Sequence, residues 1–337
     1  MVGLDIGSKT IKIVDLAKDG AGYSLSATGI VGYTGDSIVN IEDEKELASL
    51  SQVVRKLHAE AGVSSHNVVL SISEPHVFTR TIKFPLLTDS EIASAVRWEA
   101  EQYIPIPVSE AIIQHTIIAR NETSVPPGVT VLLVAAPKII IEKYIKVVSL
   151  AGLNPVAVET ELIALSRALS PPDKTVLLVD FGGASTNIAV TKNGLLSFSR
   201  SISTAGDAFT RAVSQGLGVT ASQAEEYKKT YGLDPSKLEG KIKGALDPVL
   251  KLVADEIKKA INYYQTEEGG EIPSIVIITG GTSSMSQIVP ELSQLLGMEV
   301  MVGNPFSKVK ANPEILKNLA SYAPLYAVSV GLAMREE

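Results

Sequence analysis

The chain has no cysteine among its 337 residues. Disulfides, thiolate nucleophiles and cysteine-ligated metals are therefore excluded, and an intracellular setting is expected. Histidine is almost as scarce. His58, His66, His76 and His115 lie apart without a metal-ligand spacing, so they read as surface or hydrogen-bonded residues. Basic charge is in deficit: 30 Lys and Arg against 37 Asp and Glu give a formal net charge of -7. With no Lys/Arg cluster interleaved with aromatics, a nucleic-acid partner is disfavoured. Mean hydropathy is +0.22, yet the richest apolar stretch, VTVLLVAAPKIIIEKYIKVV, is broken by Pro137, Lys138, Glu142 and Lys143. It falls short of the roughly 18 or more uninterrupted apolar residues of a membrane span. Val2 to Val14 reads as strand and not as a leader peptide. The expectation is a cytoplasmic protein with no direct membrane insertion.

What is present is ordinary globular material, 45% apolar and 20% charged, in a chain long enough for two lobes with a core each. The opening reads as a three-strand meander with turns at Gly7-Ser8 and Asp19-Gly20. An amphipathic helix with Leu47, Leu50, Val54 and Leu57 on one face then stops at Gly62. From about Val77 to Leu153 the rhythm becomes strand, helix, strand, strand, helix, with NETSVPPG as the hairpin tip. From TVLLVDFGGASTNIAVTKNGLLSFSRSI onward the chain repeats its opening pattern: strand, Asp-x-Gly turn, strand, Asn-Gly hairpin, strand. Helices follow, then the strand IPSIVIITGG and a helix from SSMSQIVPELSQLL.

The chemistry concentrates in the two repeated turns. Asp5-Ile-Gly-Ser-Lys-Thr and Asp180-Phe-Gly-Gly-Ala-Ser-Thr each end a strand in Asp and turn on glycine and hydroxyl residues. Gly7, Ser8, Lys9 and Thr10 in one, and Gly182, Gly183, Ser185 and Thr186 in the other, offer amides, hydroxyls and a cation to phosphate oxygens. Asp5 and Asp180 are placed to hold the waters of a Mg²⁺ ion. Either turn alone is better read as a plain β-turn; the duplication favours a clamp for one polyphosphate. The strand-to-helix junction Gly280-Gly281-Thr282 permits flat approach of a purine or sugar, although such junctions also occur for packing alone.

In order and content these motifs resemble the actin-like ATPase superfamily, which includes actin, heat-shock chaperone ATPases, sugar kinases, MreB and FtsA. The resemblance spans essentially the whole chain. It implies an α/β, two-lobed actin-like ATPase fold, with duplicated mixed-sheet domains, and binding of ATP and Mg. SISTAGDAFTRAV resembles a Gly-Gly-Asp stretch of MreB and FtsA, with Gly206 and Asp207 in place, and ASQAEEYKK resembles their Ala-Glu-x-x-Lys motif. Carried over, Glu225 and Lys228 contact ribose and adenine; on spacing alone they read as a solvated helix pair. Glu159 and Glu161 fall in the connecting segment where relatives place a catalytic polar residue.

The inserted β-α-β-β-α unit lies where FtsA carries its extra subdomain, and the chain stops at Glu337 without FtsA's closing amphipathic helix. With DIGSKTIKIV and KFPLLTDSEIASAVRWEAEQYIPIP, it resembles the PilM family, FtsA-like cytoplasmic ATP-binding components of type IV pilus assembly. The implied division is a first lobe at 1-82 and 154-172, an FtsA-type insert at 83-153, a second lobe at 173-209 and 272-337 whose closing helix returns towards the first, and a further subdomain at 210-271. Trp98, the only tryptophan, reads as a core or interdomain anchor. The implied partner is the N-terminal cytoplasmic peptide of a PilN-like inner-membrane protein, which would hold the chain peripherally at that membrane. Of the alternatives, a filament-forming actin-like cell-division or cytoskeletal ATPase ranks ahead of a small-molecule kinase, for which no substrate-base motif is evident. Nucleotide binding is the firmer implication, with weak ATPase activity as the enzymatic reading.

Overall fold

The computed structural model describes residues 1–123 and 126–336; Ser124 and Val125 of the expected hairpin tip, and Glu337, lie outside them. In chain order the elements are β1 (Val2–Ile6), β2 (Thr10–Asp19), β3 (Gly22–Gly32), α1 (Glu44–Glu60), β4 (Asn67–Ile72), β5 (Phe78–Phe84), α2 (Asp89–Tyr103), β6 (Ala111–Asn121), β7 (Gly128–Pro137) and α3 (Lys138–Leu150). There follow β8 (Asn154–Thr160), α4 (Glu161–Leu169), β9 (Thr175–Phe181), β10 (Thr186–Lys192), β11 (Leu195–Ile202), α5 (Gly206–Leu217), α6 (Ala221–Tyr231) and α7 (Lys241–Thr266). The chain ends with β12 (Val276–Thr279), α8 (Ile288–Leu296), β13 (Val300–Val302), β14 (Val309–Lys310), α9 (Pro313–Leu319) and α10 (Ala327–Ala333).

Local chemistry accounts for the boundaries. Asn193 and Gly194 both take positive φ, as a two-residue hairpin between right-twisted strands requires. Thr88 with Glu91 and Thr220 with Gln223 form capping boxes that satisfy the first amides of α2 and α6.

The two main sheets share one topology. The first runs β14-β3-β2-β1-β4-β8 and the second β11-β10-β9-β12-β13. In each, a meander of three antiparallel strands is extended by two parallel ones reached through crossovers. Each sheet packs apolar faces into a core: Val2, Leu4, Ile11, Ile13 and Leu70 against α1 and α3 in the first lobe, and Leu177, Val179, Ile188 and Val190 against α5 and α7 in the second. This is the two-lobed actin-like fold expected of the sequence.

Packing divides the chain differently from the expected boundaries in three places. The small third sheet, β5-β7-β6, begins at Phe78, while α3 buries Ile141, Tyr144, Val147 and Val148 in the first lobe's core and not against that sheet. Residues 210–271 share the second sheet's core, because α7 lays Leu246, Leu250, Val253 and Ile257 directly on it. The chain also returns to the first lobe before its closing helix: β14 pairs with β3, and Phe306, Val309 and Tyr326 pack on Val14 and Leu16. Trp98 corrects another expectation. It is 70% exposed on α2, since that helix turns Ile92, Val96 and Ala100 to its sheet and position 98 falls on the outer face.

The lobes are joined by α4 and α10, which cross without room for a side chain. A Cβ on Gly331 would lie 1.9 Å from the Ala164 carbonyl oxygen, and one on Gly3 would lie 2.1 Å from that of Ser329. Above this crossing, the β1–β2 turn and the β9–β10 turn face each other. Among the described residues no helix is long and apolar enough to cross a membrane.

Candidate functional site

The two turns are built alike. Gly7 N–H donates to the Thr10 carbonyl at 3.1 Å, and Gly182 N–H to that of Ser185 at 3.0 Å. In both, glycine stands two residues after the strand's penultimate residue, an aspartate. They also touch: a Cβ on Gly183 would meet Lys9 Cγ at 2.6 Å and Ser8 Oγ at 3.0 Å. The N-terminus of α5 joins them, with the Gly206 and Asp207 amides donating to the carbonyls of Gly182 and Gly183. Lys9 Nζ bridges the cleft to Asp207 at 3.1 Å.

Thr282 closes the same surface, its hydroxyl 3.3 Å from where a Gly206 Cβ would stand. Gly280, at φ +81°, lies against Asp180 and Phe181, where a Cβ would come within 2.5 Å of both. The Gly280-Gly281-Thr282 segment enters a single 3-10 turn, not the expected α-helix N-terminus; α8 starts only at Ile288, after Gln287 takes a left-handed conformation. Glu225 and Lys228 lie beside it: Lys228 Nζ donates to the Gly206 carbonyl at 3.1 Å and to Thr210, and pairs with Glu225 at 2.7 Å. Burial works to raise the Glu225 carboxyl, but Lys228, Thr210 and Lys229 outweigh it and hold the pKa down to about 2. Ser8, Lys9, Gly182, Gly183, Gly206, Glu225, Lys228 and Thr282 thus form one continuous surface. Thr186 does not join it: fully buried, it donates its hydroxyl to the Thr204 carbonyl and secures the turn from behind.

Beneath the turns lies a group that sequence reading passed over. Lys12, only 9% exposed, stands opposite Asp5 in the β1–β2 register and pairs with it at 2.9 Å. Burial alone would lower its pKa, but Asp5, with Asp180 and Glu161 behind it, outweighs that and raises it. Ser71 donates to the other Asp5 oxygen at 3.2 Å. Asp180 is partly open to the cleft. Burial pushes its carboxyl up to about 6, against the pull of Lys12 and with the help of Asp5.

Glu159 and Glu161 separate clearly. Glu159 ends on the far side, taken up by Arg167 and Arg335, so its carboxylate is committed to the α4–α10 joint. Glu161 faces Asp5 and Asp180, and burial together with those two charges sets its pKa well above the carboxylate range. One of its oxygens, Oε2, accepts from the Glu74 amide and from Asn187 Nδ2, both at 3.1 Å. Asn187 is oriented in turn by Ser201, which donates to its Oδ1 at 2.7 Å. A lysine between Ile11 and Ile13 in a buried strand was the one available signal for Lys12. Asn187, Ser201 and Glu74 had none, because their partners come from other elements.

The donor set fits a hydrated magnesium carried by phosphate. Among the described residues no three carboxylates or imidazoles are placed to cage a metal, and both Asp5 oxygens already have protein partners. Magnesium retains several waters and needs only one or two carboxylates beside substrate phosphates. Asp5 and Asp180 meet that requirement.

A family profile described as type IV pilus assembly protein PilM matches residues 3–337. Cell division protein FtsA of Pseudomonas aeruginosa is 27% identical over 380 residues, covering 99% of this chain and 88% of that protein. A chain of the solved PilM-PilN type IV pilus biogenesis complex is 27% identical and superposes with a TM-score of 0.85 over 99% of this chain and 97% of its own length. MreB5 of Spiroplasma citri, solved bound to ADP, shares the fold at 14% identity and a TM-score of 0.56, over 98% and 94% of the two chains.

Proposed function

Since the chain belongs to the type IV pilus assembly protein PilM family, we propose that it is an ATP-binding cytoplasmic adaptor that docks the cytoplasmic N-terminal segment of a PilN-like membrane protein. The observation that carries the nucleotide half is the meeting of two similarly built glycine turns over a lysine flanked by three carboxylates. Phosphates carry the negative charge that Lys9, Lys12 and the exposed amides attract, and Gly183 and Gly206 leave room for close approach. The Gly280–Thr282 segment and the Glu225–Lys228 pair lie where the nucleoside end would be held. Magnesium, when bound, would screen the phosphate charge, with its waters on Asp5 and Asp180. The relative solved with ADP shares only the fold, and the relative in complex with PilN supplies the partner half by family likeness.

Glu161 is the residue placed to orient a water towards a terminal phosphate, a task that requires a held polar group beside the cleft. Glu161→Gln is expected to leave ATP affinity within about threefold and to lower hydrolysis by about 100-fold. An unchanged turnover would remove Glu161 from that role.

The adaptor reading is tested with a synthetic peptide of the partner's cytoplasmic tail. Saturable binding with slowed amide exchange in the β5-β7-β6 sheet or α2 is expected. No binding at high peptide concentration, with and without ATP and magnesium, would refute it.

A further inference from the structure

Glu74 sits in a short turn between β4 and β5, where the chain leaves the first lobe and passes β11 of the second. It is 3% exposed, and among the described residues neither carboxyl oxygen reaches a hydrogen-bond partner. The Leu162 amide and the hydroxyls of Ser199 and Thr160 stand near it, but not in bonding geometry. Among the described residues no cation offsets it: on β11, Arg200 is paired with Glu256, and Lys12 is paired with Asp5. The other ionisable groups around this turn are Glu161 from α4, Tyr144 from α3, which reaches Ser73, and His76 in the turn itself. Of these, Glu161 repels a charge on Glu74, and burial disfavours the cationic form of His76. An unpaired carboxylate in such a place is costly, whereas a neutral acid is not. Meanwhile the backbone amide of this same residue is one of the two donors that hold Glu161.

We propose that Glu74 is a proton-operated positioning residue: as the neutral acid it fits the buried joint between the lobes and keeps its own amide on Glu161, and as the anion it draws out towards water and releases that amide. The direction of the effect follows from burial, which raises the Glu74 pKa to about 7. An acid raised in the folded state contributes stability fully below its unfolded pKa and loses it as pH rises through the folded value. The joint is therefore tight in mildly acidic solution and loosens above neutrality. The consequence for the cleft rests on the role given to Glu161 above; the proton switch itself does not.

The test compares the full-length protein with Glu74→Gln, which imitates the neutral acid at every pH. Between about pH 6 and pH 8.5 the wild-type Tm is expected to fall by about 3 °C relative to the variant. Amide exchange at Glu74 and along β11 should quicken more over the same range in the wild type than in the variant. Parallel Tm profiles and parallel exchange would overturn the proposal. Should Glu74→Gln fail to fold, Glu74→Ala serves instead: with no carboxyl at this position the transition is lost if Glu74 is the switch, and a transition that persists would overturn it. Neither measurement uses nucleotide, so a failure here and a failure of ATP binding are told apart.

Discussion

Gly331→Val is expected to cost about 3 kcal/mol or more, enough to deplete or abolish the soluble folded protein. At this position even a Cβ would stand 1.9 Å from the Ala164 carbonyl oxygen and 2.4 Å from its carbon. Backbone cannot yield as a flexible side chain can, so α10 must lift from α4. That movement would also break the bond from Arg167 to the Gly331 carbonyl, 2.6 Å long, and unsettle the Glu159 pairs beside it. Urea unfolding monitored by circular dichroism provides the check, with Gly62→Ala as a control. Gly62 also takes positive φ, but it faces open space, so its replacement should cost only about 1 kcal/mol. A Gly331→Val midpoint equal to wild type would refute the close crossing.

Lys12→Met is expected to do damage of another kind. It preserves most of the volume and removes the cation that Asp5, Asp180 and Glu161 share. Breaking a buried pair by deleting one partner typically costs about 3–5 kcal/mol, because the remaining charge stays buried. ATP affinity should fall by about 100-fold or more as well, since phosphate would then approach Asp5, Asp180 and Glu161 with no cation between them. Adding Asp5→Asn should restore much of the stability but not the affinity, which separates the structural role of Lys12 from its role towards phosphate. The sign with pH is fixed by the raised pKa of Lys12: the stability it contributes is present at neutral pH and lost only as pH rises through that raised value. If the single variant were as stable as wild type between neutrality and pH 9, the pair would not be the support described here.

Much of this architecture was legible because it is written in local pattern. Two Asp-x-Gly turns in repeated strand contexts, the Asn-Gly hairpin and a helix with a glycine stop are short-range signals, and they led to the duplicated lobes. What failed was contact between segments distant in sequence. Trp98 lies on a helix whose moderate amphipathicity leaves its outward face undecided until the small sheet is in place. The strand β14 is two residues long, below what any periodicity can register, yet it ties the chain back to the first sheet before the last helix. Helix α3 reads as the end of the insert because it follows β7 directly, but its apolar face fits the first lobe's core.

The site divides in the same way. Glycines and aspartates of the turns were readable because backbone conformation demands them. Lys12 was readable in principle, as a charged residue in a buried strand. Asn187, Ser201 and Glu74 matter only through partners on other elements, and the choice between Glu159 and Glu161 depended on which side of the β8–α4 junction each side chain leaves.

The central claim is that the two turns form one nucleotide clamp, and isothermal calorimetry with ATP and Mg²⁺ tests it most directly. The wild-type protein is expected to bind one ATP saturably. Lys9→Ala and Asp180→Ala are each expected to weaken binding by at least about tenfold, while Lys241→Ala, whose charge is spent on exposed Glu239, matches wild type. Equal affinity in all four proteins, or no binding to any of them, would contradict the account.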